Sequence, residues 1–90
     1  MHIKEGLIIK EMDNEFILID TGVVPPIFNG IIKLNKTGKD IINLLKDKDY
    51  SYDELITMLL DKYDVTKETL VSSINPFIEE LRRVKLLDGE

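Results

Sequence analysis

Cysteine and tryptophan are absent from the 90 residues, and histidine occurs once, as His2. The missing cysteine excludes disulfides, thiolate metal sites, iron–sulfur clusters and a thiol nucleophile. A lone histidine beside the start of the chain has no second ligand nearby and is read as a solvated residue. Long apolar runs are also lacking: Phe16 to Ile19 is typical, whereas a membrane span needs about 20 apolar residues and a signal-peptide core about 7–15. A cytoplasmic location is therefore expected. Basic residues are in deficit, 12 against 17 acidic, leaving a net charge of -5. Such a balance repels duplex phosphate on average and disfavours binding to nucleic acid.

What is present fits one small globule. Hydrophobic residues make up 43% and charged residues 32%, the mixture of an ordinary soluble domain. A chain of this mass buries roughly 64% of its extended surface, enough for a single core. Residues 1–90 are read as one domain.

The first third carries strand signals. Residues 6–12 and 15–20 are short runs rich in Ile, Leu and Phe, separated by Asp13-Asn14, a pair that tolerates the positive φ of a primed hairpin turn. In the second run Phe16 and Leu18 share one face and Ile17 and Ile19 the other. Apolar residues on both faces imply that helices or a partner cover part of the outer one. Thr21-Gly22 and Pro25-Pro26 punctuate a loop, and residues 27–34 form a third extended run. Phe28, Gly30, Ile32 and Leu34 fall on one face of that run, Asn29, Ile31 and Lys33 on the other.

The remainder reads as three helices, over about 37–46, 52–63 and 67–84. Thr37 is a plausible first cap, and Ile41, Ile42, Leu44 and Leu45 form the stripe behind it. Ser51-Tyr52-Asp53-Glu54 has the form of a capping box. Leu55, Ile56, Leu59, Leu60 and Tyr63 follow at helical spacing. Thr66 caps the third helix, in which Leu70, Ile74, Phe77, Ile78, Leu81 and Val84 make one apolar stripe. Pro76 interrupts that stripe and predicts a kink or a break. The order is βββααα, an α+β chain.

No catalytic constellation emerges. A serine triad would need His2 as base, and no Gly-x-Ser-x-Gly elbow surrounds Ser51, Ser72 or Ser73. Glycines form neither a phosphate loop nor a dinucleotide fingerprint. A calcium loop begun at Asp47 fails at Tyr52, where glycine is required, and at Met58, where a bidentate glutamate belongs. The chain is expected to be no enzyme and to hold no metal and no cofactor.

Two binding readings remain. The second and third helices resemble a helix-turn-helix pair, which leaves a DNA-binding winged-helix regulator as the alternative. Its would-be recognition helix, however, opens on Lys67-Glu68 and offers little positive charge to phosphate. The preferred reading uses an edge strand over 27–34, to which an extended peptide can add, beside the apolar wall of the last helix.

Leu34-Asn35-Lys36-Thr37-Gly38, set between a strand and a helix, resembles the Leu-Asn-x-Thr/Ser-Gly/Ala signature of the PqqD-like family, the RiPP recognition elements of ribosomal peptide maturation. Phe16 to Asp20, Ser51 to Ile56, Tyr63-Asp64-Val65 and the closing helix with Leu86-Leu87 are similar to further family segments. Ile42 stands where many members have tryptophan, and Lys85 where they have glycine. The resemblance implies a winged helix-turn-helix-like fold, a three-stranded antiparallel sheet followed by three helices, without catalytic activity. It implies a partner, the leader of a precursor peptide, added as a strand beside the third strand. A second partner is a modifying enzyme, a radical-SAM protein or a lasso-type leader peptidase and cyclase. Carried over by position, the strand side of the groove is Asn29, Gly30, Ile31, Ile32 and Lys33. The helix side is Lys67, Leu70, Val71, Ile74, Asn75 and Ile78, with Ile31 and Ile74 taking apolar anchors and the two lysines facing leader carboxylates. A monomer is expected, or a dimer made by strand exchange through the proline-containing loop.

Overall fold

The structure is a computed structural model that describes residues 1–20 and 31–89. Its elements run β1 (His2–Ile3), β2 (Leu7–Met12), β3 (Glu15–Asp20), β4 (Ile31–Leu34), α1 (Lys36–Asp47), α2 (Tyr52–Lys62), α3 (Lys67–Arg83) and β5 (Leu87–Asp88). Strands β2, β3 and β4 form an antiparallel sheet in that order, and the three helices follow it. The α+β architecture is the expected one. A feature not expected is the two-stranded pairing of β1 with β5, His2 opposite Asp88 and Ile3 opposite Leu87, which ties the two ends of the domain together.

The hairpin fixes the register of the larger sheet. Asp13 and Asn14 have φ of 50° and 66°, the left-handed pair of a type I′ turn. Met12 faces Glu15 across it, so these two exchange hydrogen bonds, and every second pair back along the ladder does the same. Ile17 and Ile19 thus bond toward β2, while Phe16 and Leu18 bond toward Leu34 and Ile32, their partners on β4. By the same alternation, the N–H and C=O groups of Ile31 and Lys33 point away from the sheet.

Alternation also sorts the side chains. Leu7, Leu18 and Leu34 are buried on the inner face, with Ile9, Phe16 and Ile32 packed against the core beside them. The helices close over that face through Ile41, Ile42 and Leu45, through Leu55, Ile56 and Leu59, and through Leu70, Ile74, Ile78 and Leu81. Ile42 is fully buried among them.

Helix ends follow local chemistry with one correction. Asn35, not Thr37, caps α1: its side chain accepts the Gly38 N–H at 2.7 Å. Asparagine and threonine are both good caps, and Thr37 lies inside the first turn, two residues past the cap. Ser51 and Glu54 form the reciprocal box at α2, and the Glu54 carboxyl is held below its ordinary value first by the Ser51 backbone N–H. Pro76 does not break α3, which runs through it as one helix. Pro76 and Ser72 lie on the solvent face, where water can serve the carbonyl that lost its partner, while Ile74 and Ile78 stay buried on the other side. The helix closes in a Schellman motif: Leu86 N–H donates to Leu81 O at 2.9 Å and Lys85 N–H to Arg82 O at 3.0 Å. Lys85 takes the left-handed position, φ 59°, which is where the resembling family has glycine.

Candidate functional site

The site is built where β4 meets the first turn of α1 and the middle of α3. Leu34 turns into the core, and Asn35 then caps the helix, so the chain passes from strand to helix without a loop. Gly38 faces Phe77 of α3. A methyl group at Gly38 would stand 3.2 Å from Asn35 Oδ1 and 3.4 Å from Phe77 Cζ, so the missing side chain lets cap, helix and ring meet closely. Between them opens a cleft of about 190 Å³, bounded by Lys33, Leu34, Asn35, Thr37, Gly38, Ile41, Ser73, Ile74 and Phe77. Its floor is apolar, from Ile41, Ile74 and Phe77. Its rim is polar, from Lys33, Asn35, Thr37 and Ser73.

A buried charge braces the cleft from behind. Asp40 is only 5% exposed, and its carboxylate accepts from the Tyr63 hydroxyl and pairs with Lys62 at 3.2 Å. Burial pushes the Asp40 carboxyl up, but Tyr63, Lys62 and Lys39 together outweigh it and hold the group below its ordinary value. Burial, and then the same carboxylate, push the Tyr63 phenol up to about 12. The pair is therefore ionised Asp40 and neutral Tyr63 across the neutral range, and it fastens α1 to the end of α2. Lys39 also lies over the Phe16 ring, 4.6 Å from its centre.

The sequence-derived site residues separate into four groups. Ile31, Ile32 and Lys33 form β4, and Ile74 lies across the cleft from its end. Leu70 and Ile78 are buried in the core, and Val71 is half-buried against it. Lys67 is exposed in the first turn of α3, and Asn75 accepts a 2.6 Å hydrogen bond from the Tyr52 hydroxyl of α2, so it belongs to the helix–helix seam. Asn29 and Gly30 lie outside the described residues, as do the Thr21 to Pro26 loop and the first half of the expected third strand. Ser73 and Phe77 were missed, although their i, i+4 spacing beside Ile74 marks one flank of the stripe.

Among the described residues no group of three acidic or histidine side chains is arranged to hold a metal ion. Among those residues no helix is long and apolar enough to cross a membrane. The arrangement offers a row of outward backbone groups next to a half-apolar cleft, which suits an extended chain.

Comparison with known proteins bears on the family and the fold. The sequence pattern of the family described as Coenzyme PQQ synthesis protein D (PqqD) matches residues 15–87. A solved structure, TbiB1 in complex with the TbiA(beta) leader peptide, is similar in fold, with a TM-score of 0.68 and 21% identity over 100% of this chain and 98% of the TbiB1 chain. No curated protein matches the chain in sequence.

Proposed function

The chain belongs to the PqqD family, and from that premise we propose that it binds the leader of a ribosomally made precursor peptide and presents it to a modifying enzyme. The leader adds as a strand beside β4, taking its ladder bonds from Ile31 and Lys33, and drops side chains into the cleft against Ile74 and Phe77. The modifying enzyme is of the radical-SAM type or a leader peptidase with its cyclase. The chain itself performs no turnover, and works as a monomer or as a dimer made by strand exchange. One observation carries the reading: among the described residues β4 is an edge of the sheet, and at its end Lys33, whose N–H and C=O point outward, borders the cleft between α1 and α3. An edge strand left in this state is normally blunted by charge, proline or a covering element. A solved relative in fold that holds a leader peptide supports the same reading.

The test is a titration of the leader segment from the precursor peptide against wild type and Ile31→Pro. Proline at this position removes an outward donor and leaves the ladder to β3 intact. At least a tenfold loss of affinity in a folded variant is expected. Equal affinity would refute strand addition at β4.

A further inference from the structure

The sheet has a second surface that, among the described residues, the core does not use and that meets the cleft only at Lys33. On its outer face Ile8 lies beside Ile19, and Lys10, Ile17 and Lys33 form the next cross-strand row. Ile8 is 45% and Met12 47% exposed, and Ile17 and Ile19 are half-buried without belonging to the side chains packed on the core. An antiparallel sheet covered on one side normally turns polar residues outward. Here the outward positions of the hairpin are mostly apolar, at a cost in solubility that the fold does not need.

We propose that this outer face docks a transiently bound protein partner whose contact patch is apolar and rimmed by carboxylates, namely the enzyme to which the peptide is handed. The proposal rests on the peptide-presenting reading above. Charge selects the partner. Lys10 and Lys33 flank Ile17 and form no ion pair among the described residues, and they stand on a chain of net charge -5. Their complement is a patch bearing Asp or Glu around apolar side chains. Glu15, opposite Met12, is the one carboxylate on the described part of this face, so a second copy would set one carboxylate against two lysines. Area argues the same way. Two strands of six residues and one of four, rising about 3.3 Å per residue and about 4.8 Å apart, present roughly 250 Å², well under the roughly 800 Å² per partner of a stable interface. A contact of that size suits a partner that binds, acts and leaves.

The experiment uses the full chain as wild type, as Lys10→Glu and as Ile8→Ser/Met12→Ser, all at exposed positions. Each is titrated with the precursor's leader, and separately with the purified peptide-modifying enzyme encoded beside it, at low and high salt. Leader affinity should stay within twofold of wild type for both variants. Affinity for the enzyme should fall at least tenfold for both, and wild-type binding to the enzyme should weaken as salt rises. Unchanged affinity for the enzyme, or no wild-type binding to it, overturns the docking surface while leaving the leader result standing. A wild type that binds no leader overturns the underlying reading instead. Sedimentation showing a wild-type dimer that both variants dissolve would assign the face to a second copy and overturn the proposal as well.

Discussion

The two edges of the sheet, β2 and β4, are built from similar strands and end in opposite situations. β2 is the longer, pairs along its whole length with β3, and carries Lys10 and Glu11 just before a tight turn. Charged side chains on an edge discourage another chain from pairing there, and the described part of β4 carries one, Lys33, against two on β2. β4 has four described residues, runs straight into a capped helix, and has the cleft at its end. Both edges point alternate backbone groups outward, yet only β4 offers an added strand somewhere to put its side chains. Free hydrogen-bonding groups alone therefore do not make a binding edge; a wall beside them is what distinguishes it.

The largest expected effect separates the two sides of one strand. Ile32 bonds inward to Leu18, so Ile32→Pro removes a ladder bond inside the sheet and leaves its buried partner unpaired, enough to unfold much of a marginally stable domain. Ile31→Pro, one residue away, should keep the circular dichroism spectrum and cost about 1 kcal/mol or less. If both variants unfold alike, the alternation derived from the hairpin is wrong. Next comes the comparison between edges. Glu11→Pro places proline at an outward position of β2, as Ile31→Pro does on β4. It should leave leader affinity within twofold, against the tenfold loss at Ile31; a matching loss would mean that the wall is not what matters.

A smaller effect concerns the brace behind the cleft. Tyr63→Phe deletes the phenol that donates to buried Asp40 and should lower stability by about 1–3 kcal/mol in chemical denaturation at neutral pH. Leader affinity should hardly change. The pH dependence has a definite sign. Tyr63 has its pKa raised in the fold, from 10.0 to about 12, so its contribution is present below pH 10.0 and lost as pH rises through about 12. Asp40 is shifted down from 3.8, so its contribution is present above that value and lost as pH falls through the lowered one. The stability gap between wild type and Tyr63→Phe should therefore narrow at both extremes, and a constant gap would contradict the pairing.

The smallest effect is a gain. Lys85 sits at φ 59° in the turn that ends α3, a conformation that costs a non-glycine residue roughly 1–2 kcal/mol. Glycine loses part of that advantage through its unfolded-state entropy. Lys85→Gly should then raise stability by about 0.5–1 kcal/mol without altering leader binding, and a loss of stability would show that the lysine side chain earns its place there.

Much of this architecture was legible because its signals are local. Asp13-Asn14 announced a primed turn, Ser51 with Glu54 a capping box, and Thr66 a third cap, and each stands where the spacing put it. The pairing of β1 with β5 was not legible, because two-residue strands at opposite ends of the chain leave no periodicity to read. The buried bond of Asp40 was not legible either, because its partners Tyr63 and Lys62 lie more than twenty residues away and meet it only on folding. At the site, the stripe on α3 identified its buried face but not which flank met β4. Asn75 went to Tyr52 of α2 and Ser73 with Phe77 to the cleft, a choice made by the tilt of one helix on another.

The most direct test follows amide hydrogen exchange with and without the leader. The Ile31 and Lys33 amides should exchange fast in the free chain and slow at least tenfold when the leader binds, while the outward amides of Leu7, Ile9 and Glu11 on β2 stay fast. Protection appearing on β2 instead, or already present at Ile31 and Lys33 in the free monomer, would contradict strand addition at β4.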